Sequence, residues 1–256
     1  NYDIFDQERS SFMQVVILAG GLGTRLGEIT KKIPKPMVMI NGIPILQRII
    51  NFYYDKGYKD FIIACGYKKN IIYKYFKELS SKNDTIILKN NNLYVYFKKK
   101  KIQINLIDTG LNTLTGGRAK KISKFITSNN FLLTYGDGLS NVSLSKLKKI
   151  HLTNNSIITI SIVNPKSKYG RVKIGTKNKI LKFEEKPVLK NEWINGGFMI
   201  CSKKIFRYIK NTQSILEKDV FSKILKLNKL SYHKHVGFWQ CMDTARDKSE
   251  LEKVLR

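Results

Sequence analysis

Gln14-Val15-Val16-Ile17-Leu18-Ala19-Gly20-Gly21-Leu22-Gly23-Thr24-Arg25-Leu26 is the stretch from which the architecture is read. Gln14–Ala19 is a short, nearly unbroken apolar run rich in β-branched residues, the pattern of a parallel strand buried on both faces. The glycines that end it allow backbone N–H groups to approach an anion. A turn at a strand's carboxyl end also lies where open α/β sheets bind ligands. It is not a dinucleotide fingerprint, because Leu26 stands where the third glycine belongs, and no Gly-Lys-Ser/Thr follows to make a P-loop. Taken alone, the turn fits an anion cradle and a plain structural turn equally well. Arg25 tilts the balance, since a guanidinium can clamp phosphate oxygens in two-toothed fashion.

Working outward, Pro44 opens a helix through Tyr54, with Ile45, Leu46, Ile49, Ile50 and Tyr53 at helical spacing. Asp60–Ala64 reads as the next strand and Ile71–Leu79 as the next helix. Thr85–Asp108 alternates polar and apolar residues without a helix between, as in a meander or edge ribbon. Arg118–Ile126 is then helical, Phe131–Tyr135 a buried strand, Leu144–Leu152 helical and Ile157–Val163 a strand. This alternation predicts an α/β fold, Rossmann-like, with a doubly wound, mostly parallel sheet and later strands added antiparallel. Residues 13–256 are expected to form a single domain. Residues 1–12 read as either an extra amino-terminal arm or an expression remnant.

The 256 residues include 47 Lys and Arg against 19 Asp and Glu, a formal net charge of +28. Such a charge invites a nucleic-acid reading. The lysines, however, are spread through a Lys-, Asn- and Ile-rich chain, with one dense run at Lys98–Lys101 and no aromatic-rich RNA motif beside it. No nucleic-acid partner is expected; the field serves instead to gather small polyanions. No apolar run approaches the ~18 residues of a membrane span, so no membrane association is expected. Three cysteines (Cys65, Cys201, Cys241) in no framework or metal spacing suit a reducing cytoplasm and read as ordinary small buried residues.

Ten residues beyond Arg25, Pro34-Lys35-Pro36-Met37 holds one lysine between two prolines. The fixed backbone reduces the entropy that its ammonium loses on binding. Together, G-G-L-G-T-R-L and I-P-K-P-M resemble the signature of the sugar-nucleotide pyrophosphorylases. The likeness extends from Met13 to about Leu251. It rests on Cys65-Gly66-Tyr67-Lys68, Asp108-Thr109-Gly110, Thr115-Gly116-Gly117-Arg118, Thr134-Tyr135-Gly136-Asp137-Gly138, Glu185-Lys186-Pro187, Ile194-Asn195-Gly196-Gly197-Phe198, and Gly237-Phe238-Trp239 with Met242-Asp243-Thr244. The D-T-G…T-G-G-R pair and the F-W-x-x-M-D-T ending resemble the glucose-1-phosphate cytidylyltransferases within that family.

The resemblance implies the nucleotide-diphospho-sugar transferase type of fold, whose small antiparallel addition carries the sugar side. It implies transfer of a cytidylyl group from CTP to a phosphorylated acceptor, foremost glucose 1-phosphate, giving CDP-glucose and pyrophosphate. Nucleotide contacts fall to Leu18, Ala19, Gly20, Gly21, Gly23, Thr24, Arg25, Lys35, Thr115, Gly116, Gly117, Arg118 and Asp137. Acceptor contacts fall to Tyr135, Gly170, Glu185, Lys186, Asn195 and Gly196, and Mg²⁺ to Asp137 and Asp243. Arg25, Lys35 and Lys186 take the catalytic roles: Arg25 on the leaving pyrophosphate, Lys35 on the α-phosphate, Lys186 on the acceptor phosphate. A homo-oligomer is the family expectation.

That chemistry needs charge neutralisation and positioning rather than a general base, because an acceptor phosphate is already anionic near neutral pH. His151, His233 and His235 are therefore expected to play no catalytic part. Three features depart from the pattern: a shorter tail after Asp243, altered flanks at Ser167-Lys168-Tyr169-Gly170, and Leu216-Glu217 where Trp-Glu is usual. They leave open another sugar phosphate, or a nonsugar phosphate such as a phosphorylated amino acid or amide, as acceptor. A basic nucleotide- or nucleic-acid-binding protein without catalysis is the reading from another class.

Overall fold

The computed structural model describes residues 13–167, 169–189 and 191–255. The amino-terminal arm, residues 1–12, lies outside them. β1 (Val15–Ala19) is the hub, and all five of its residues are buried. Its side chains alternate between two cores. Val15, Ile17 and Ala19 join one with Ile45, Leu46, Ile49 and Ile50; Val16 and Leu18 join the other with Ala119, Ile122, Met199 and Val220. The Val, Leu, Ile and Met side chains among them contribute about 1.5–3 kcal/mol each when fully buried. Having two filled faces is why the run reads as continuously apolar.

In chain order the remaining strands are β2 (Met39–Ile40), β3 (Ile43–Pro44), β4 (Asp60–Cys65), β5 (Thr85–Lys89), β6 (Asn92–Phe97), β7 (Ile102–Asp108) and β8 (Asn130–Tyr135). They continue with β9 (Gly138–Ser140), β10 (Ile158–Val163), β11 (Arg171–Ile174), β12 (Ile180–Glu184), β13 (Ile194–Ser202), β14 (Leu230–His235) and β15 (Trp239–Cys241). Eight of them join β1 in one nine-stranded sheet, ordered β14-β10-β13-β8-β1-β4-β7-β6-β5. β1 pairs in parallel with both β4 and β8, β4 with β7, and β10 with β14. Only β6 and β13 run against the rest, pairing antiparallel with their neighbours. Of the later strands, β13 runs antiparallel as expected, whereas β14 returns parallel.

The chain passes from β1 to its neighbour β4, reaches the far edge at β5, returns through β6 to β7, and then crosses to β8 on the other side of β1. The carboxyl ends of β1 and β8 therefore flank a topological switch point, where a crevice opens. β13 runs backwards, so its first residues, Ile194 and Asn195, reach that same edge of the sheet.

Helix Ile45–Tyr54 forms as expected, with Pro44 at its N-cap. The predicted helix over 118–126 instead spans Thr115–Ile122 and ends in a 3₁₀ turn, Ser123–Phe125. Its two glycines lie inside the first turn, where long-range packing overrides their poor propensity. A Cβ on Gly117 would come within 2.1 Å of the Thr212 carbonyl oxygen, and one on Gly116 within 2.8 Å of that of Ser214. β11 and β12 make a separate exposed ribbon, the small antiparallel addition.

Candidate active site

Two short strands assemble the centre of the crevice. β9 follows Asp137 directly and pairs antiparallel with β15, matching Gly138 to Cys241. That register sets Met242 opposite Asp137, and the Met242 N–H donates to the Asp137 carbonyl at 2.9 Å. Asp243 is thereby brought beside Asp137, although 106 positions separate them (243 − 137).

Lys35 closes the pair. Its Nζ lies 2.7 Å from Asp137 Oδ2 and 2.7 Å from Asp243 Oδ1, with the side chain only 12% exposed. Gly23 permits this, since a Cβ there would come 2.9 Å from the Lys35 Cβ. Gly23 also adopts a φ of 67°, which favours glycine. Burial alone would lower the Lys35 pKa, but the ion pairs with Asp137 and Asp243 more than offset it and hold the ammonium above its ordinary value. Arg25 reaches Asp243 Oδ2 at 3.1 Å while its own side chain is 74% exposed, leaving it free to swing. Arg25, Lys35, Asp137 and Asp243, all chosen from sequence, thus meet at one point.

Cys241, expected to be an ordinary buried residue, belongs to the same point. One ligand atom from each of Asp137, Cys241 and Asp243 lies within 4.8 Å of the others. Burial, then the Asp137 carboxylate, pushes the Cys241 thiol well above its ordinary pKa. The two carboxylates fit a divalent ion, which favours oxygen donors and commonly takes one or two protein carboxylates plus phosphate oxygens.

Residues expected on the acceptor side fall in a linked set with Thr115, expected among the nucleotide contacts, and with Glu217, which carried no expected role. The Tyr135 hydroxyl donates to Glu217 Oε1, and Thr115 Oγ1 donates to Glu217 Oε2 at 3.1 Å. Glu217 stands on a π-turn, Leu216–Phe221, a local distortion frequent at functional sites. Asn195 Oδ1 accepts from the Gly197 N–H at 2.9 Å, beside a bulge in β13. The Trp239 indole donates to the Gly196 carbonyl at 2.7 Å, tying β13 to the Asp243 segment. Lys186 pairs with Glu185 at 2.9 Å and adopts a left-handed φ of 45°. A non-glycine residue held so costs of order 1 kcal/mol, and such strain clusters at functional sites. Gly170 lies against this pair, 3.2 Å from Glu185 Oε2 when given a Cβ.

Arg118, expected among the nucleotide contacts, is buried against the backbone of the crevice. It is 4% exposed, and its guanidinium donates to the carbonyl oxygens of Gly20 (2.8 Å), Gly110 (2.8 Å), Leu111 (3.2 Å) and Cys65 (3.3 Å), and to Thr109 Oγ1 (2.5 Å). It stitches together the carboxyl ends of β1, β4 and β7. Gly20 and Gly66 are small for its sake, since a Cβ on either would fall 2.2–2.3 Å from Arg118 Nη1. Gly21 differs: nothing lies within 4 Å of a Cβ there. Leu18 and Ala19 are buried in β1, with Leu18 O accepting from Gly136 N at 3.0 Å to hold the Asp137 turn in place.

A carboxylate pair held by two cations, at the switch point of a doubly wound sheet, suits an α/β enzyme that handles polyphosphates. Comparison with known proteins names the class more closely: the chain belongs to the nucleotidyl transferase family, whose model matches residues 14–246. It is 37% identical over 244 residues to the glucose-1-phosphate cytidylyltransferase of Salmonella typhimurium, covering 94% of this chain and 95% of that one. It is 35% identical over 218 residues to the D-glycero-alpha-D-manno-heptose 1-phosphate guanylyltransferase of Campylobacter jejuni, covering 84% and 86%. In fold it matches HddC from Yersinia pseudotuberculosis, solved with GMP-PN, at a TM-score of 0.70 and 24% identity, covering 95% and 100%. Enzymes of this family generally use a divalent metal. No helix among the described residues is long and apolar enough to cross a membrane.

Proposed function

We propose that this chain transfers the cytidylyl group of CTP to glucose 1-phosphate, giving CDP-glucose and pyrophosphate, in the cytoplasm and with Mg²⁺. The convergence of Lys35 on Asp137 and Asp243 at 2.7 Å each carries the proposal. The near full-length similarity to the Salmonella cytidylyltransferase supplies the substrates. In the reaction an acceptor phosphate oxygen attacks the α-phosphorus, a new P–O bond forms, and the bond to the β-phosphate breaks with pyrophosphate leaving. Mg²⁺ held by Asp137 and Asp243 would neutralise charge on the phosphates and act as a Lewis acid.

The chain's own groups do the positioning. Lys35, released from the carboxylates, turns its ammonium to the α-phosphate, and exposed Arg25 receives the departing pyrophosphate. The turn around Gly21 presents backbone to the triphosphate. Lys186 meets the acceptor phosphate from the ribbon, while Glu185 and Asn195 bind hydroxyls and Tyr135 is held for that side by Glu217. Residues 13–256 act as one unit in this proposal. The chain assembles as a homo-oligomer, consistent with a ribbon that leaves Val172, Ile174, Ile180, Leu181 and Phe183 exposed. Light scattering behind a sizing column reads the assembly directly, and a monomer at all concentrations rejects it.

The test of the reaction is pyrophosphate release with Mg²⁺, crossing four nucleoside triphosphates against a panel of sugar and nonsugar phosphates. Signal for CTP with glucose 1-phosphate is expected. Signal for CTP only with another phosphate replaces the acceptor; silence throughout rejects the proposal.

A further inference from the structure

We propose that Cys241 is a third donor at the Asp137–Asp243 pair, so that this site takes thiophilic divalent ions such as Cd²⁺ or Zn²⁺ far more tightly than Mg²⁺. The inference rests on the carboxylate pair being the metal site of the proposed reaction. Its further observation is placement: the β9–β15 register sets Cys241 opposite Gly138, one residue past Asp137, and two residues before Asp243. One ligand atom from each side chain lies within 4.8 Å of the others. Metal–oxygen and metal–sulfur bonds of about 2.0–2.3 Å put neighbouring donors some 3–4 Å apart, so a shared ion needs only small shifts.

The donor set then decides the ion. Two carboxylate oxygens alone suit hard Mg²⁺, which gains nothing from sulfur. Adding a thiolate creates an O₂S set, which favours Cd²⁺ or Zn²⁺. On binding, the metal–sulfur bond forms as the S–H proton leaves to solvent, and the Lys35 ammonium gives up both carboxylates to the ion. Cys65 and Cys201 cannot substitute, being completely buried in β4 and β13. A thiophilic ion so held keeps its place against Mg²⁺, and the site becomes a point at which such metals inhibit the enzyme.

The experiment is anaerobic titration of the reduced, metal-free full chain with Cd²⁺, following the ultraviolet sulfur-to-cadmium charge-transfer band and the heat of binding. Wild type should bind one equivalent with the band. Cys241→Ser and Cys241→Ala should lose the band and bind at least about tenfold more weakly, and Asp243→Asn should keep the band but lose affinity. Melting curves of each variant show that the fold is retained. An undiminished band in folded Cys241→Ser, or no band in wild type, overturns the inference. Neither readout depends on turnover. Failure of CTP to release pyrophosphate, with the band intact, rejects the reaction and leaves the thiolate site standing.

Discussion

Replacing Arg118 with methionine separates two roles that the T-G-G-R motif could serve. The substitution keeps an unbranched apolar stem, shortens the side chain and removes every donor. Gly20 O retains the Tyr67 N–H at 3.1 Å, and Cys65 O retains the Thr109 N–H at 2.9 Å, so neither is orphaned. Leu111 is 55% exposed, so its carbonyl lies close to water. Gly110 O loses its Arg118 donor at 2.8 Å, and Thr109 Oγ1 loses a donor while still donating to Cys65 O. An unsatisfied buried polar group costs about 1–3 kcal/mol, and hydrogen bonds to a charged donor are worth about 1.5–3 kcal/mol each. Discounting those with a second partner, the expected loss is roughly 2–4 kcal/mol, a fall in Tm on the order of 10 °C for a chain of this size. Urea and thermal denaturation read the stability, and initial rates read the KM for CTP. Stability should fall while the KM, measured well below the new Tm, moves less than about threefold. Unchanged stability with a KM raised tenfold or more would refute the clamp and restore Arg118 to the nucleotide pocket.

Asp137→Asn removes charge at constant size; turnover should fall by at least about 10²-fold with the melting curve preserved, and near-normal rates with Mg²⁺ would reject the metal assignment. Gly20→Ala drives a methyl to within 2.2 Å of Arg118 Nη1 and should destabilise the fold by about 1–3 kcal/mol. Gly21→Ala meets no neighbour, so its melting temperature should hold while the KM for CTP rises; a normal KM would remove the turn from the phosphate site. His151, between Thr159 Oγ1 (2.9 Å) and Asn130 Oδ1 (3.3 Å), has its pKa lowered by burial from 6.5 to about 4. The unfolded chain binds that proton more readily, so this stabilisation is present above pH 6.5 and drains away as pH falls toward 4, about 3 kcal/mol in all. His151→Gln should flatten urea midpoints across that window, and an unchanged slope would show that His151 is not the titrating group.

What the sequence disclosed, and what it hid, follows the range of the forces involved. β1, the helix Ile45–Tyr54 and the Gly136-Asp137-Gly138 turn were legible because burial on both faces, helical spacing and glycine each leave a local mark. The start of the helix at Thr115 was not, since two consecutive glycines speak for a loop and the carbonyls that require them, at Thr212 and Ser214, come nearly a hundred residues later. The role of Arg118 was hidden for the same reason: its acceptors sit at the ends of three strands that become neighbours only once the sheet forms.

Cys241 shows most plainly where pattern ends and register begins. β9 and β15 are three residues each, too short for any alternation to announce them. Yet their pairing decides that Asp137 and Asp243 form one site rather than two exposed carboxylates, and the same pairing brings a thiol to them. Shifting it by one residue would turn Cys241 to the other face and break the Met242–Asp137 bond that fixes the carboxylates side by side. The carboxylate pair and the thiol are therefore consequences of one register. An insertion in the Gly237–Trp239 loop that slipped it should abolish Mg²⁺-dependent turnover and the Cd²⁺ charge-transfer band together, whereas loss of one without the other would show that they are set independently.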